Sequence, residues 1–231
     1  MKDSNERSIE IVMACRKLYR TMSYQEISLK EISCEISISR PSIYNYFVSK
    51  EEIFLEILRE EYEAWSRSLL EILHGNEKMT KDEFAAALAH STEGRETLFR
   101  IQCMNLYDIE EHSRIERLTE YKKVIRKVME ILNACLVKFF PSMTEEERIG
   151  FLYTLLPFMY GIYPYVYPTE RQKEAMQRAG IPCRLSTLVS GSCSAERLRV
   201  FRIIIIIGQG RKAGSHHEES CGIFLGIRYD G

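Results

Sequence analysis

Apolar residues recur at intervals of three and four along most of this 231-residue chain, as they do on the buried face of an amphipathic helix. The alternating pattern of a half-buried strand does not extend over a useful length before residue 182. We therefore predict an all-α fold. The predicted helices lie near 6–22, 28–36, 39–47, 50–73, 80–90, 92–111, 114–139, 144–163 and 169–179.

Four of these helices begin with a serine or threonine that is followed three residues later by glutamate. In such a capping box the hydroxyl accepts a hydrogen bond from the third helical amide, and the glutamate accepts one from the amide of the capping residue. Four matches that each precede a helical apolar pattern support one another. The pairs are Ser28 with Glu31, Ser49 with Glu52, Thr80 with Glu83 and Thr144 with Glu147.

Composition excludes several classes of protein. Hydrophobic residues make up 45% of the chain, which is enough for a sizeable core and unlike a disordered protein. The 32 basic and 33 acidic side chains nearly cancel, which argues against a protein that coats nucleic acid by charge alone. Residues 1–50 carry eight basic and six acidic groups, so the N-terminal part has a weak local charge of the sign that favours DNA.

The chain begins with charged residues where a secretory signal would need an apolar stretch, so we expect no signal peptide and a cytoplasmic location. We interpret most of the seven cysteines as small buried hydrophobes, because no CxxC pair occurs. The uncharged run over 149–169 is as long as a membrane span, but it contains Pro157, Pro164 and Pro168. We predict a buried helix that breaks near Pro164, and no membrane partner.

Residues 24–53 contain two short helices joined by a tight turn. Ser28 caps the first helix, whose Ile32 faces inward, and Ser39 caps the second helix, whose Ile43 faces the same small core. Two short helices joined in this way form the helix-turn-helix motif, in which the second helix enters the major groove of DNA.

The outward side chains of the second helix suit contacts with DNA. Arg40 can bind guanine O6 and N7, Asn45 can bind adenine N6 and N7, and Ser42 can bind either kind of base edge. The hydroxyls of Tyr44 and Tyr46 suit phosphate oxygens, which set the register without specifying sequence. Four further predicted DNA-binding residues are Ser28, Lys30, Ser39 and Lys50, the last at a helix start where a phosphate can meet its charge and the unpaired amides.

Over about the first 60 residues, the chain resembles the TetR family of bacterial transcriptional regulators. The family motif has a capped first helix, a short second helix that ends in Y-x-Y-F, and a restart of the form [SN]-K-E-[ED]-[LI]. These elements stand here as Ser28, Ile32, Ile38, Ser39, Tyr44-Asn45-Tyr46-Phe47 and Ser49-Lys50-Glu51-Glu52-Ile53. Ser37 departs from the pattern, because the family usually has glycine at this turn, and serine in a left-handed conformation carries an energetic cost.

The resemblance implies how the residues divide between the parts of DNA. The positions of Ser28, Tyr44, Tyr46 and Lys50 usually hold phosphates, and those of Arg40, Ser42 and Asn45 usually meet base edges. For the two tyrosines, half-buried packing is the alternative.

The resemblance also implies an N-terminal DNA-binding domain over residues 1–50 and a larger helical domain over 51–181 that binds an effector and dimerises. It implies a homodimer on a double-stranded DNA operator, without a cofactor, and a repressor that a small molecule releases. The helices near 144–163 and beyond would pack against their twofold mates as a four-helix bundle.

Aromatic residues are concentrated in the larger predicted domain, and few charges lie in 149–169, which favours an apolar or aromatic effector. Polar groups near the middle of the 92–111 helix could orient such a ligand. For each aromatic residue, packing in the core is the alternative, because aromatic side chains at helical spacing are usually buried. The predicted effector-binding residues are Phe99, Gln102, Asn105, Tyr107, Phe151, Phe158 and Tyr163.

Two other classes of function stay open at this point: a helical enzyme with a helix-turn-helix-like fold, and a helical adaptor that binds a protein partner. No catalytic residue is predicted, because the chain has no G-x-S-x-G, P-loop, H-E-x-x-H or glycine fingerprint. His216 and His217 near Cys221 have metal-binding chemistry, but they stand in a glycine-rich segment, and we predict no metal site.

The composition changes after Pro182. Residues 182–231 contain seven of the twelve glycines and six arginines against one lysine, and the five isoleucines at 203–207 have no polar face. A reading-frame change or a foreign terminus would give such features. We expect much of 182–231, above all 208–231, to be disordered or irregularly packed and to carry no site; the alternative is a buried helix over 194–207.

Overall fold

The computed structural model describes residues 4–181, and every regular element in that part of the chain is a helix. The predicted all-α fold is confirmed there, while the expectations for residues 182–231 lie outside the described residues. The N-terminal helices are α1 (Ser4–Tyr19), α2 (Leu29–Glu35) and α3 (Arg40–Ile43). They are followed by α4 (Lys50–Gly75), α5 (Lys81–Ser91), α6 (Glu96–Glu111), α7 (Ile115–Phe139), α8 (Glu145–Gly161), α9 (Tyr163–Val166) and α10 (Glu170–Arg178).

A small apolar core holds the first three helices together and continues into α4. Tyr19 and Tyr24 pack edge-on against Phe54 of α4, with ring centroids 5.0 and 4.9 Å apart. The N-terminal helix-turn-helix domain is therefore attached to the first turns of α4. The fully buried residues of this core include Ile11, Cys15, Ile27, Ile32, Ile43 and Phe47.

The larger domain is organised around α4 and α7, which run parallel and share the most extensive contact between helices in the described part of the chain. Tyr62, Trp65 and Leu69 of α4 are fully buried, as are Val128 and Leu132 of α7. Helices α5, α6 and α8 pack around this pair. Because α4 takes part in both cores, it connects the two domains without a flexible linker.

The predicted capping boxes are complete at two of the four positions. Thr80 with Glu83 and Thr144 with Glu147 make both hydrogen bonds, at the starts of α5 and α8. At α2, Ser28 accepts from the amide of Lys30, and its hydroxyl bonds to the Glu31 carboxylate. At α4, Ser49 accepts from the amide of Glu52, but the Glu52 side chain turns inward to a different partner.

Helix α8 breaks as predicted. It continues through Pro157 and ends at Gly161, and Pro164 stands in the first turn of α9. One face of α8 is buried through Phe151 and Met159, whereas Tyr153 lies on the opposite face and is exposed. Among residues 4–181, no helix combines the length and the apolar composition that crossing a membrane requires.

Candidate nucleic-acid interface and its link to the larger domain

The turn between α2 and α3 has the conformation that its sequence predicts. Ser37 has a φ of +53°, in the left-handed region where a side chain is disfavoured. The amide of Ile38 then donates to the carbonyl of Ser33 at 3.2 Å, which closes the end of α2. The conformation holds without glycine because the buried residues on both sides of the turn determine the path of the chain.

Helix α3 is capped at its start and anchored by its inward face. The Ser39 hydroxyl accepts from the amide of Ser42 at 3.3 Å, and Pro41 occupies the first turn, where no helical donor is lost. The helix ends at Ile43 and is therefore shorter than the predicted 39–47. The chain continues as a turn in which the amides of Tyr46 and Phe47 both donate to the Ile43 carbonyl, at 2.9 and 3.0 Å.

Burial of Ile43 and Phe47 turns the neighbouring polar side chains outward. Arg40 and Tyr44 lie one turn apart on this face, with the guanidinium 3.5 Å from the tyrosine hydroxyl. Of the predicted DNA-binding residues, those exposed are Lys30, Ser39, Arg40, Tyr44 and Asn45, and those half-buried are Ser28, Ser42, Tyr46 and Lys50. The second helix and the turn after it therefore present the predicted base-reading groups Arg40 and Asn45 to solvent, and their role stays a prediction.

Lys50 has partners within the chain. Its ammonium donates to the carbonyls of Tyr24 and Ile27, at 2.8 and 3.1 Å, and lies 4.1 Å from the centroid of the Tyr24 ring. The side chain thus fastens the loop before α2 to the start of α4. Its predicted contact with a phosphate is an additional role that stays a prediction.

Tyr46 shows the half-buried packing that was the alternative from sequence, and its contact with a phosphate stays a prediction. Its ring is half-buried against the core, and its carbonyl accepts a hydrogen bond from Arg117 of α7 at 3.2 Å. The same guanidinium lies 5.0 Å from the centroid of the Phe47 ring. The end of the reading segment is therefore held by a side chain from the larger domain.

A buried carboxylate makes the strongest connection between the two domains. The Glu52 side chain is fully buried, and its two oxygens accept from Nε and Nη2 of Arg114 at 2.6 and 2.8 Å. It also accepts from the backbone amides of Arg114 and Val48, at 3.2 and 3.0 Å. Burial raises the pKa of Glu52, but the hydrogen bonds from Arg114 and Val48 outweigh burial, so the pKa lies below its ordinary value.

Two further contacts connect α6 and the corner after it to the N-terminal domain. The Ser49 hydroxyl donates to the carbonyl of His112 at 3.2 Å, just beyond the end of α6. Near the start of α6, Arg100 donates to the carbonyls of Tyr19 and Met22, at 2.8 and 3.4 Å. We call these contacts, with Glu52–Arg114 and Arg117–Tyr46, the interdomain contacts. Both ends of α6 are thus hydrogen-bonded to the DNA-binding domain.

Four polar side chains from four helices meet inside the larger domain: Tyr62 of α4, Gln102 of α6, Tyr121 of α7 and Tyr160 of α8. We call them the tyrosine–glutamine cluster. The Gln102 amide nitrogen donates to the Tyr62 hydroxyl, and Tyr160 lies next to that hydroxyl. Burial raises the pKa of each phenol, so all three stay protonated and neutral near pH 7.

The structure distributes the predicted effector-binding residues over several environments. Gln102, Asn105 and Phe151 are buried, and Phe99 and Phe158 are half-buried against the core. The half-buried Tyr163 donates to the Glu96 carboxylate at 3.2 Å. Burial and that carboxylate raise the pKa of Tyr163 to about 12.

Tyr107 does not enter the interior with Gln102 and Asn105, and its side chain is 81% exposed. Five residues along a helix rotate a side chain by about 140° from the starting position, so Tyr107 cannot share the inner face with Gln102. It lies instead at the rim of a surface cleft of about 550 Å³, which Gln102, Leu106 and Leu118 also line. Its predicted contact with an effector stays a prediction, at the rim of this cleft.

The remaining sequence predictions concern metals and cysteines. Among the described residues, no group of three histidine, cysteine, aspartate or glutamate side chains could hold a metal ion. Cys15 and Cys135 are buried, whereas Cys103 is half-buried and Cys34 is exposed, and all four are free thiols. Burial raises the pKa of Cys15 to about 12, so this thiol stays protonated and packs as a small hydrophobe.

Sequence reasoning missed the residues that link the domains and most of the tyrosine–glutamine cluster. Glu52 was assigned to a capping box. No local pattern marks Arg100, Arg114 or Arg117 as residues of the larger domain that bind the N-terminal segment. The Y-x-Y-F segment gave a partial signal for the contact with Arg117. A main-chain carbonyl beside packed aromatic rings needs a hydrogen-bond donor.

Comparison with known proteins agrees with this architecture. The family described as "Bacterial regulatory proteins, tetR family" matches residues 11–57, and "Tetracyclin repressor-like, C-terminal domain" matches residues 59–190. No curated protein is significantly similar in sequence.

Solved structures share the fold at low sequence identity. One is a transcriptional regulator of the TetR/AcrR family from Thermobifida fusca, with a TM-score of 0.52, 22% identity, and coverage of 81% of this chain and 99% of that one. Another is the fatty acid degradation regulator FadR from Bacillus halodurans, with a TM-score of 0.55, 12% identity, and coverage of 88% and 97%.

The two family matches together span more than half of the chain, and the first of them covers the segment that carries the helix-turn-helix. This assignment favours a DNA-binding regulator over the enzyme and the adaptor that the sequence left open. The chain belongs to the TetR family of transcriptional regulators, which are DNA-binding proteins and not enzymes.

Proposed function

We propose that this regulator is a repressor, that it binds its operator as a homodimer, and that a small molecule bound in the larger domain releases it. DNA binding follows from the family, whereas repression and release are proposals. The observation that carries the release mechanism is the set of interdomain contacts, above all the bond between the buried Glu52 carboxylate and the half-exposed Arg114 guanidinium.

The mechanism depends on α6. This helix contributes Gln102 to the tyrosine–glutamine cluster, and its two ends are hydrogen-bonded to the DNA-binding domain through Arg100 and His112. A ligand that enters beside Gln102 and displaces α6 must therefore move or break these bonds. Either change alters the orientation of α3 relative to the larger domain.

Release requires that the ligand favours one orientation over the other, because a ligand of equal affinity for both shifts no equilibrium. A hundredfold difference in affinity would shift the balance by about 2.7 kcal/mol. Loss of one or two of the interdomain hydrogen bonds is of that size, since a bond to a charged group contributes about 1.5–3 kcal/mol. The contacts are therefore strong enough to hold one orientation and weak enough for a ligand to overcome.

The proposed dimer would use the outer face of α8. Ile149, Tyr153 and Pro157 recur at intervals of four on this helix and are all exposed. Such an apolar stripe on one surface favours a protein contact, and a second copy of the chain would bury it by twofold symmetry. Two copies of α3 could then enter successive major grooves.

A reporter experiment tests the proposed function. Genomic fragments that the purified full-length protein selects would be placed between a promoter and a reporter gene, with and without expression of the regulator. We expect expression of the reporter to fall when the regulator is present and to recover when small-molecule extracts of the source cells are added. A rise in reporter expression would show an activator, and repression that no extract relieves would contradict release by a ligand.

A further inference from the structure

The tyrosine–glutamine cluster contains two buried polar atoms without a hydrogen-bond partner among residues 4–181. They are Oε1 of Gln102 and the hydroxyl of Tyr121. Both side chains are almost completely inaccessible to solvent. Buried polar atoms are nearly always hydrogen-bonded, so two such atoms in one cluster indicate that a further polar group belongs between these helices.

The two atoms lie in the same small region. The Tyr121 ring packs against Tyr62, with centroids 5.9 Å apart, and the Gln102 amide bonds to the hydroxyl of that same Tyr62. One polar group of a ligand could therefore serve both atoms.

We infer that the effector is a neutral molecule with an apolar body and a hydroxyl group, and that Gln102 and Tyr121 bind this hydroxyl. The inference rests on the proposed function, because it assumes that an effector binds in the larger domain. It goes further by naming the chemical class of the effector and the two side-chain atoms that recognise it.

A hydroxyl fits because it both donates and accepts. It can donate to Gln102 Oε1 while it accepts from the Tyr121 hydroxyl. It also serves if the carboxamide rotates by 180° and presents its nitrogen. A carboxylate has no proton to donate to Oε1, so it leaves the Gln102 oxygen without a hydrogen bond. An ammonium has no lone pair to accept the phenol proton, so it leaves the Tyr121 hydroxyl without an acceptor.

The charges near the cluster favour a neutral ligand. Glu110 is paired with Lys122 at 2.6 Å, so neither charge is available as the sole partner of a ligand ion. Lys122 already lies 5.5 Å from the centroid of the Tyr121 ring, which disfavours a second cation there. The charge of Glu110 adds to burial in raising the pKa of Tyr121 and Tyr160, so the same field disfavours an anion.

A cleft beside α6 offers room for the apolar body. Its volume of about 550 Å³ lies in the range of small-molecule sites. Leu106 and Leu118 supply apolar lining for such a body, and the carboxylates of Asp108, Glu110 and Glu111, which also line the cleft, disfavour an anion. Because Gln102 belongs both to the cleft and to the cluster, a ligand lying along α6 would bring its hydroxyl to the buried end. Entry by this route would press on the helix that holds the DNA-binding domain.

Three probes of equal chain length test the class of ligand on the purified full-length protein: 1-decanol, decanoate and decylammonium. Decanoate has one methylene fewer outside its polar group, which is worth about 0.8 kcal/mol. Once this difference is subtracted, differences in affinity report on the polar group. Trp65 is the single tryptophan of the chain and lies 6.0 Å from the Tyr62 ring, so its fluorescence reports binding at the cluster. The midpoint of thermal unfolding provides a second readout, because a ligand that binds the native state raises it.

We expect 1-decanol to bind at least about tenfold more tightly than either charged probe, which corresponds to about 1.4 kcal/mol. Tyr121→Phe removes one of the two recognising atoms without opening a cavity, so we expect it to bring the three affinities to within about threefold while the protein stays folded. Tyr165→Phe makes the same chemical change at an exposed position and should keep the wild-type preference.

Equal or tighter binding of decanoate or decylammonium would overturn the inference, as would a failure of 1-decanol to bind up to its solubility limit. A preference for 1-decanol that survives in Tyr121→Phe would also overturn it and would indicate that a buried water bridges the two atoms. Operator binding, measured separately by fluorescence anisotropy, distinguishes the failures. If 1-decanol binds selectively but leaves the operator complex intact, the class of ligand stands and the release mechanism fails.

Discussion

Ser37 holds a backbone conformation that glycine adopts without cost. Its φ of +53° lies in the left-handed region, where a side chain costs about 1 kcal/mol. We expect Ser37→Gly to raise the free energy of unfolding by about 0.5–1 kcal/mol, an amount reduced by the greater freedom of glycine in the unfolded chain. Chemical denaturation would measure the change. Ser37→Ala is the control, because alanine keeps the side-chain conflict and should give no stabilisation.

Arg40 at the start of α3 and Lys50 at the start of α4 should differ in what they contribute to DNA binding. If Arg40 reads a guanine, Arg40→Ala should weaken binding to the preferred operator by about 1–3 kcal/mol and relax base preference. Lys50→Ala should weaken binding to all sequences about equally and lower the salt slope by about one unit per subunit. Salt titrations on matched and scrambled duplexes would measure both. If Lys50→Ala changed base preference and Arg40→Ala did not, the two proposed roles would be reversed.

The carboxylate of Glu52 should make stability depend on pH in a defined direction. Its pKa in the folded protein is lower than the ordinary 4.5, because the hydrogen bonds from Arg114 and Val48 outweigh the effect of burial. A lowered pKa stabilises the fold fully above the unfolded pKa, and this stabilisation is lost as the pH falls through the folded pKa. The bond to Arg114 therefore contributes at neutral pH and disappears in acid.

Glu52→Gln should accordingly lower the free energy of unfolding by about 1–3 kcal/mol at pH 7, and the difference from wild type should shrink below about pH 4.5. Urea denaturation at a series of pH values would measure it. Glu71→Gln, an exposed substitution on the same helix, should change stability little at any pH. A loss of stability in Glu52→Gln that is the same at pH 3 and pH 7 would show that the charge of Glu52 is not the cause.

At the scale of elements, the corner between α6 and α7 should determine how rigidly the reading segment is held. Arg114→Ala removes the donors to Glu52, so we expect hydrogen exchange of the amides over 46–52 to accelerate at least about tenfold. Arg126→Ala removes an exposed arginine of the same helix, paired only on the surface with Glu130, and should leave these amides unchanged. Equal exchange in both variants would show that the corner does not hold the segment.

Helices and caps could be predicted from sequence because their signals are local. The apolar period marks α4 and α7 over many turns, and Thr80 and Thr144 cap helices through residues three positions away. The capping box at Thr169 does not match the pattern with glutamate, because Gln172 stands at the third helical position and makes the same hydrogen bond.

The meeting of distant residues could not be predicted in this way. Glu52 and Arg114 are 62 residues apart, and the tyrosine–glutamine cluster takes one residue from each of four helices. Which residues of an amphipathic face meet depends on the relative rotation and depth of the packed helices. Gln102 could be identified because it is a polar residue near the middle of a predicted helix. Tyr62, Tyr121 and Tyr160 have the spacing of ordinary core residues.

At the scale of the whole molecule, the proposed dimer predicts that a charge on the outer face of α8 separates the subunits. Tyr153→Asp should give a monomer in sedimentation experiments at micromolar concentration and abolish tight operator binding, because one half-site alone supplies too little affinity. The fold should persist, since Tyr153 is exposed within the chain. Tyr107→Asp places the same charge on exposed α6 and should stay dimeric. A Tyr153→Asp monomer that still binds the operator tightly would contradict the dimer mechanism.

Several of the interdomain contacts reach the main chain of the DNA-binding domain. Arg100 and Arg117 bind the carbonyls of residues 19, 22 and 46, and Glu52 binds the amide of residue 48. Because every amino acid supplies a carbonyl, these bonds tolerate mutation of the side chains that face DNA. The surface that recognises an operator can therefore evolve, or be exchanged for that of a relative, while the response to the effector is inherited intact. Such a graft needs to keep three side chains that face the larger domain, those of Phe47, Ser49 and Glu52.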